Sequence, residues 1–504
     1  MIRSLSLLAT IVALAACAAS RGPVTAPQPA PAADRQAWLE MFARGYFPGR
    51  SGQVFVVPKK GDFVTERSPL YRFMHGSPHE YDTRIPVLFH GSPFVKPGRY
   101  DVAAAQLDVA PTMAAIMRAP VPATMAGRVL AEAVAGGSAR PRIVTLFVLD
   151  AMRADYFELH ADAIPTLRRL RDDGAWFSSA RATVLPTLTS VGHATLGTGA
   201  EPRVHGVTVN NLFNHATGKP QEAYNGLDTH ELMALTLADT WNLETRGAAV
   251  IIGHGGAIRA TVGLVGHGGC LLSARKVLAA SYGGADGGWE TNPECYVLPP
   301  ALVPLKGRAV WEAAGGTWMG HDIANASRFR ASSPFQKFEA EALRAVVEES
   351  AAGADDVTDL VLVNMKGPDY TAHMHGPRSK EMRETLAELD RQIAAYLALL
   401  DRKAGPGRSV TVITADHGMP DEPPPGGRRY FLDEIIAVVN KQFDPEGRVI
   451  QYYNDAANNQ MHLDTSRLRS LGFSLSDVAR FLERDLFAAA FTEDEVRAAQ
   501  ARLR

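Results

Sequence analysis

The chain has 504 residues, of which 46% are hydrophobic and 21% charged, so it can bury a large core in one large domain or two to three smaller ones. Its formal net charge is only −2, and no block of like charges forms a binding tail. We therefore expect no nucleic-acid partner, since such proteins carry a basic face.

The first 37 residues have the pattern of an export leader followed by a linker. Residues 1–17, "MIRSLSLLATIVALAAC", combine an early Arg3 with an apolar run that is too short to span a membrane. Their end, "LAAC", resembles a bacterial lipobox in which Cys17 would be lipidated; cleavage nearby without lipid is the alternative. Residues 18–37 are rich in Ala and Pro, which predicts a tether. We expect an exported, periplasmic protein that is anchored to the membrane by lipid.

Three buried strands are predicted, and each ends in acidic residues or histidines. Continuous apolar runs, typical of a parallel sheet, end at Asp150, just before Asp369 and His373, and at Asp416 and His417. Because ligand sites collect at the carboxyl ends of parallel strands, we expect these side chains at one edge of the sheet. Each acid alone could equally cap a turn or a helix. Together, carboxylates and imidazoles without thiolates favour zinc or a similar divalent ion.

Helical patterns alternate with these strands. Residues 379–405 begin at Ser379, have apolar positions at helical spacing, and stop at Gly405. This alternation predicts an α/β fold with a mostly parallel central sheet and helices on both faces. Four residues separate Asp369 from His373, so one helical turn would point both the same way.

The segment "VLPTLTSVGHATLGTGAEPRVHGVTVNN", residues 184–211, contains a candidate nucleophile. Thr189 opens a predicted helix, whose N-terminus would present free backbone N–H groups to an anion. A threonine hydroxyl needs activation, which a metal ion can give by lowering its pKa. The alternative is a threonine that only caps the helix.

Four stretches, "LFVLDAMRADYF", "PTLTSVGHATLGTGAEPRVHGVTVNN", "DYTAHMHGP" and "ADHG", resemble the alkaline phosphatase superfamily. The resemblance is to its type I phosphodiesterase and nucleotide pyrophosphatase branch, which includes similar bacterial alkaline phosphatases with a threonine nucleophile. It implies two Zn²⁺ ions and a covalent phosphothreonine intermediate. Asp150, Asp416 and His417 would hold one zinc, with Thr189 bound to it; Asp369 and His373 would hold the second.

The third ligand of the second zinc is missing from its usual place. In the family it is a histidine of an "HGS" motif after the "ADHG" strand, where this chain has only His462, interpreted as structural in a strand that enters a helix. An "HGS" motif occurs instead at His75, in a stretch that resembles the closing segment of the family. The order therefore resembles a circular permutation, with "YFPGRSGQVFVVPKKG" (46–61) as a late strand moved to the front. The alternative is an unrelated amino-terminal domain and an incomplete second site.

The resemblance also indicates phosphoryl-binding residues. Asn210 matches an asparagine that binds a phosphoryl oxygen, with Asn211 as the adjacent alternative. The monoesterases have a Lys and an Arg two residues apart; Arg259 matches the Arg, or is a surface residue, but Ala257 occupies the Lys position. A phosphodiesterase or pyrophosphatase is therefore slightly favoured over an alkaline phosphomonoesterase, because a diester carries less negative charge.

Other residues of the middle region have less definite roles. His254 and His267 are interpreted as packing residues rather than a third metal site, and Trp289 either packs or lines the leaving-group pocket. Cys270 and Cys295 could pair, which the sequence does not decide.

Three divisions of the chain follow the leader and the tether: a permuted carboxyl-terminal piece (38–140), a catalytic core (141–430) with a cap insertion at about 205–345, and an α/β appendage (431–504). A small phosphate ester or nucleotide-like substrate is expected. The less favoured alternatives are a sulfatase or phosphonate hydrolase, and a non-catalytic envelope binding protein. Thr189, in place of a Cys or Ser that sulfatases mature, opposes the first; the intact set of ligands opposes the second.

Overall fold

A computed structural model describes residues 31–453 and 459–503 of the protein. The predicted leader, residues 1–17 with Cys17, and most of the tether lie outside the described residues. No helix in the described ranges combines the length and the apolar character that crossing a bilayer requires.

The strands of the described chain are β1 (Val54–Val57), β2 (Phe63–Thr65), β3 (Val87–His90), β4 (Gly98–Ala105), β5 (Ile143–Leu149), β6 (Ala175–Arg181), β7 (Asn211–Asn214), β8 (Lys219–Glu222), β9 (Ile251–Gly255), β10 (Val277–Gly283), β11 (Gly288–Glu290), β12 (Tyr296–Val297), β13 (Thr317–Trp318), β14 (His321–Asp322), β15 (Asp359–Met365), β16 (Ser409–Thr414), β17 (Arg429–Phe431), β18 (Ile450–Tyr452), β19 (Gln460–Leu463) and β20 (Ala489–Thr492).

The helices of the described chain are α1 (Ala32–Gly45), α2 (Glu80–Thr83), α3 (Val109–Met117), α4 (Tyr156–Leu159), α5 (Pro165–Asp173), α6 (Thr189–Thr198), α7 (Pro202–His205), α8 (Leu237–Glu244), α9 (Ile258–Val265), α10 (Gly307–Ala313), α11 (Ala326–Phe329), α12 (Ser333–Glu349), α13 (Gly367–His375), α14 (Lys380–Ala404), α15 (Leu432–Phe443), α16 (Thr465–Ser470), α17 (Leu475–Asp485) and α18 (Glu493–Gln500).

A central sheet runs through the molecule in the order β11-β10-β9-β15-β5-β16-β3-β6-β4, with β12 beside β10. Pairing is parallel from β10 through β9, β15 and β5 to β16, while β3 pairs antiparallel with both β16 and β6. Every residue of β5, "IVTLFVL", is buried, as a strand covered on both faces requires. This is the predicted α/β fold with a mostly parallel sheet.

The three strands that were predicted to end in acids are neighbours in this sheet. β15, β5 and β16 lie side by side and in parallel, so their carboxyl ends meet at one edge. The predicted helix over 379–405 is α14; Ser379 accepts a hydrogen bond from the Met382 N–H at its start, and Gly405 ends it at φ 88°.

The amino-terminal part of the described chain contributes to two sheets. β3 and β4 join the central sheet. β1 lies between β19 and β20, from the far end of the chain, in a smaller sheet of order β18-β19-β1-β20. Residues from both ends of the sequence therefore pack as one unit.

Candidate active site

The ends of β5, β15 and β16 bring three carboxylates together in the interior. Asp150, Asp369 and Asp416 are each at most 1% exposed. Burying several carboxylates without positive charge is strongly unfavourable, so this cluster requires cations. The strand-end prediction is therefore confirmed in its geometry.

One group of side chains surrounds Asp369. Helix α13 begins after β15 and carries Asp369 and His373 one turn apart, with His373 Nε2 3.2 Å from Asp369 Oδ1. His75, from the loop between β2 and α2, points its Nε2 to the same Oδ1 at 3.8 Å. A residue nearly 300 positions away in sequence thus completes a set of two imidazoles and one carboxylate.

A second group lies beside the first. His417 Nε2 is 3.2 Å from Asp416 Oδ2 and 3.7 Å from Asp150 Oδ1. The rings of His75 and His417 stack with their centroids 3.6 Å apart, so the two groups are contiguous. All the predicted metal-binding side chains therefore meet in one buried cluster.

Backbone carbonyl groups orient the three imidazoles. The Nδ1 atoms of His75, His373 and His417 lie 2.7 Å from Thr187 O, 2.7 Å from Phe73 O and 2.9 Å from Gly418 O, respectively. A ring that donates Nδ1–H to a carbonyl group has its lone pair on Nε2, the atom that faces the carboxylates. This arrangement is typical of metal-binding histidines.

The electrostatics of the cluster also favour cations. Burial and the neighbouring Asp416 raise the pKa of Asp150 to about 8. Burial opposes the ionisation of Asp369, but His373 and Lys366 hold its pKa well below the usual range. Burial and the other two imidazoles lower the pKa of His75 far below its usual value, so the ring is neutral and competent as a ligand.

The donor set fits divalent metal ions. In the described chain, Asp416 Oδ2 and Asp369 Oδ1 are buried without accepting a hydrogen bond, whereas Asp150 Oδ1 and Asp369 Oδ2 face the Lys366 ammonium. These oxygens and the Nε2 lone pairs form nitrogen and oxygen sets of the kind that zinc prefers.

Thr189 lies against this cluster as the first residue of α6. Its side chain is 1% exposed, and Oγ1 lies 3.4 Å from His417 Nε2. The positive end of the helix dipole is directed at this position. Asn210 Oδ1 accepts a hydrogen bond from Ser190 N–H at 3.0 Å, which holds the amide next to Thr189 and leaves its NH₂ group as a donor. The adjacent Asn211 is instead in β7, paired with Glu222.

Lys366, which sequence reasoning missed, lies in the centre of the site. Its ammonium is fully buried, 2.8 Å from Asp150 Oδ1, 2.7 Å from Asp369 Oδ2 and 3.0 Å from Thr189 Oγ1. Burial lowers the pKa of Lys366, but Asp150 and Asp369 outweigh this effect and raise it. The signal in the sequence was a charged residue directly after a mostly apolar strand, in "VLVNMKGPD".

His193 is a second residue that was missed. It follows Thr189 by one helical turn, with Nδ1 2.8 Å from Thr189 O and 3.4 Å from Asp416 Oδ2. Its Nε2 accepts a hydrogen bond from Asn364, whose amide also donates to Asp150. Since both ring nitrogens are engaged, His193 supports the ligands and the helix.

Arg259 reaches the margin of the site. It lies 3.5 Å from Tyr370 Oη, and Asp369 and Asp150 are among the negative groups that raise its pKa against the effect of burial. Ala257 is buried at the start of α9. One guanidinium therefore approaches the cluster from the first turn of α9.

The remaining residues of the sequence analysis lie elsewhere. His254 contacts Glu339 O and Trp289, and His267 binds Asp239, so both are packing residues. Trp289 packs on Phe338 and Tyr282 rather than on the cluster. His462 is in β19, before α16, against Phe213 and His215. Cys270 and Cys295 form a disulfide.

Comparisons with known proteins identify the family of the chain. The family model described as type I phosphodiesterase / nucleotide pyrophosphatase matches residues 144–471. The chain is similar to alkaline phosphatase PafA of Elizabethkingia meningoseptica (23% identity over 69% of this chain and 73% of the relative) and to alkaline phosphatase PhoV of Synechococcus elongatus (24%, 66% and 69%).

The crystal structure of wild-type PafA has a similar fold, with a TM-score of 0.56 and 20% identity over 69% of this chain and 76% of that one. With the family model matching well over half of its residues, the chain belongs to the type I phosphodiesterase / nucleotide pyrophosphatase family, and it is a hydrolase of phosphoric esters.

Proposed function

We propose that this hydrolase uses two zinc ions and Thr189 as a nucleophile that carries the phosphoryl group. The position of Thr189 carries the proposal: its Oγ1 opens a helix and lies 3.4 Å from His417 Nε2, beside both groups of ligands. A threonine that only capped a helix would not need a cluster of buried carboxylates around it.

The residues divide into two ligand sets. Asp150, Asp416 and His417 would hold one zinc next to Thr189, and His75, Asp369 and His373 would hold the other. Bound zinc supplies a lower hydroxyl pKa and stabilisation of negative charge on the attacking and leaving oxygens.

The side chains of the protein arrange the transfer. Thr189 Oγ1 attacks phosphorus, the ester P–O bond breaks, and the alcohol departs with the hydroxyl proton. The NH₂ group of Asn210 and the helix N-terminus stabilise the phosphoryl oxygens, while Arg259 attracts the anion. Water then cleaves the Thr189–phosphorus bond and releases phosphate or a phosphate monoester.

We also propose that the chain is a circular permutation of the family fold. Three observations support this proposal: β1 pairs with β19 and β20 from the other end of the chain, β3 pairs with β16, and His75 reaches Asp369. The matched segment begins only at residue 144, so the first 143 residues lie outside the family model. New termini in exposed loops are tolerated when the ends of a domain are close together.

Export is a further proposal, with lipid on Cys17. The Cys270–Cys295 disulfide supports it, because disulfides persist in oxidising compartments such as the periplasm. Metabolic labelling with a radioactive fatty acid should label the wild-type protein and not Cys17→Ala; equal labelling of both would contradict it.

The experiment that tests the catalytic proposal combines metal analysis with two esters, p-nitrophenyl phosphate and bis-p-nitrophenyl phosphate. Thr189→Ala should keep the metal content and lose turnover. Thr198→Ala, at the buried end of the same helix, is the matched control and should keep both. A metal-loaded wild type that hydrolyses no ester would refute the proposal.

A further inference from the structure

Lys366, which follows β15, supplies a positive charge next to the loop after β9, where Ala257 carries none. β9 and β15 pair in parallel, with Asn364 opposite Gly255 as the last pair. Two residues beyond this pair, past the ends of both strands, are Lys366 and Ala257. The backbones touch here, because a Cβ at Gly256 would lie 2.4 Å from Lys366 Cβ. An ammonium from either position would therefore enter the same part of the site.

The position of Lys366 is fixed from two sides. Both carboxylate oxygens of Glu339 accept the Lys366 backbone N–H at 3.1 Å, on the side where α12 packs. The ammonium reaches Thr189 Oγ1 at 3.0 Å. A phosphoryl group attached to Oγ1 is thus within contact of Lys366, and Arg259 approaches from the first turn of α9.

We propose that Lys366 binds the phosphoryl group as the second cation beside Arg259, so that the favoured substrates are dianionic phosphate monoesters. This inference rests on the function proposed above and changes its substrate class, since the sequence slightly favoured diesters because of Ala257. Paired positive charges favour a dianion more than the monoanion of a diester.

The test compares Lys366→Met with the double variant Ala257→Lys/Lys366→Met. Lys366→Met should lower kcat/KM for p-nitrophenyl phosphate by roughly 10- to 100-fold, the range for a lost charged hydrogen bond, and for the diester by only a few-fold. The Ala257→Lys change should restore most of the monoester loss. Lys403→Met, whose ammonium binds the Ser350 carbonyl elsewhere, is the control and should match wild type.

Two equilibrium measurements separate this inference from the catalytic proposal. Zinc content should be unchanged in Lys366→Met, and inorganic phosphate should bind at least 10-fold more weakly by calorimetry, whether or not esters turn over. Unchanged phosphate affinity, or equal losses for both esters with loss of zinc, would overturn the role of Lys366. A wild type without turnover that binds phosphate through Lys366 would refute only the catalytic proposal.

A separate cluster lies at the end of α13, beginning two residues after His373. His321 of β14, His375 of α13 and Glu381 of α14 offer ligand atoms within 4.8 Å of one another. His321 Nε2 lies 2.9 Å from Glu381 Oε1, and the two imidazole rings are 4.5 Å apart. In the described chain, His375 Nε2 is buried without a hydrogen-bond partner.

We infer that this cluster binds a further zinc ion, which ties the β13–β14 hairpin to the core. Two imidazoles and one carboxylate form a known zinc-binding set. His321→Ala and Glu381→Gln should each lose one equivalent of zinc while kcat/KM stays within two-fold of wild type. His230→Ala, which removes an exposed histidine paired with Asp228, should lose none. Equal zinc in all variants would refute this site.

Discussion

Replacing His75 by alanine tests the link between the start of the chain and the catalytic cluster. The wild type offers three side chains to the second metal position: Asp369, His75 and His373. The Nε2 atoms of His75 and His373 lie 3.8 and 3.2 Å from Asp369 Oδ1. His75→Ala retains only Asp369 and His373. The Thr187 carbonyl oxygen, which orients the His75 ring in the wild type, does not replace the lost imidazole. We expect His75→Ala to lose about one equivalent of zinc.

The magnitude follows from the role of the metal. A metal ion contributes several kcal/mol of charge stabilisation in the transition state, and about 4 kcal/mol corresponds to about 10³-fold in rate. We therefore expect kcat/KM of His75→Ala to fall by about 10³-fold. The assay is steady-state hydrolysis of p-nitrophenyl phosphate at saturating zinc, with metal content measured on the same samples.

Two histidine variants provide the controls. His79→Gln changes a buried histidine of the same loop, which binds Pro58 O rather than the cluster, and should keep zinc and activity. His462→Ala tests the competing ligand. Full zinc content and activity in His75→Ala, or their loss in His462→Ala, would refute the assignment of His75.

Three further predictions concern Asn210, the disulfide and His205. Asn210→Ala should lower kcat by about 10²-fold without loss of zinc, as expected for one oxyanion donor; unchanged kcat would contradict its role. The Cys270–Cys295 disulfide closes a loop at a sequence separation of 25. Its reduction should lower the free energy of unfolding in urea titrations by about 3 kcal/mol and leave kcat unchanged. Equal urea midpoints for the oxidised and the reduced protein would contradict this. Burial lowers the pKa of His205 to about 3, so its contribution to stability is complete above about pH 6.5 and is lost as the pH falls towards 3. Between pH 6.5 and 5 the free energy of unfolding of His205→Gln should therefore fall by about 2 kcal/mol less than that of wild type. Parallel curves of unfolding free energy against pH for the two proteins would contradict the prediction.

Much of the site could be predicted because its residues follow strands of one type. β5, β15 and β16 are mostly apolar and almost entirely buried, and parallel strands must present their carboxyl ends at one edge. The motif around Thr189 likewise marks a helix start. These strands and this helix start could therefore be recognised from the local sequence.

The position of Lys366 was not available from the sequence. Its importance depends on the pairing of β9 with β15, which places it beside the loop of Ala257, and pairing between distant segments is not local information. The same holds for the assignment of His193 as a supporting residue, since this requires knowing that Asn364 occupies its second nitrogen. The resemblance indicated His75, but only the fold brings it to Asp369.

The most direct test of the central claim is to identify the residue that carries the phosphoryl group. Acid quenching of the enzyme during turnover of p-nitrophenyl phosphate, followed by peptide mass spectrometry, should find phosphate on Thr189 in wild type and on no residue in Thr189→Ala. Phosphate on another side chain, or steady turnover by Thr189→Ala at the wild-type rate, would contradict the account.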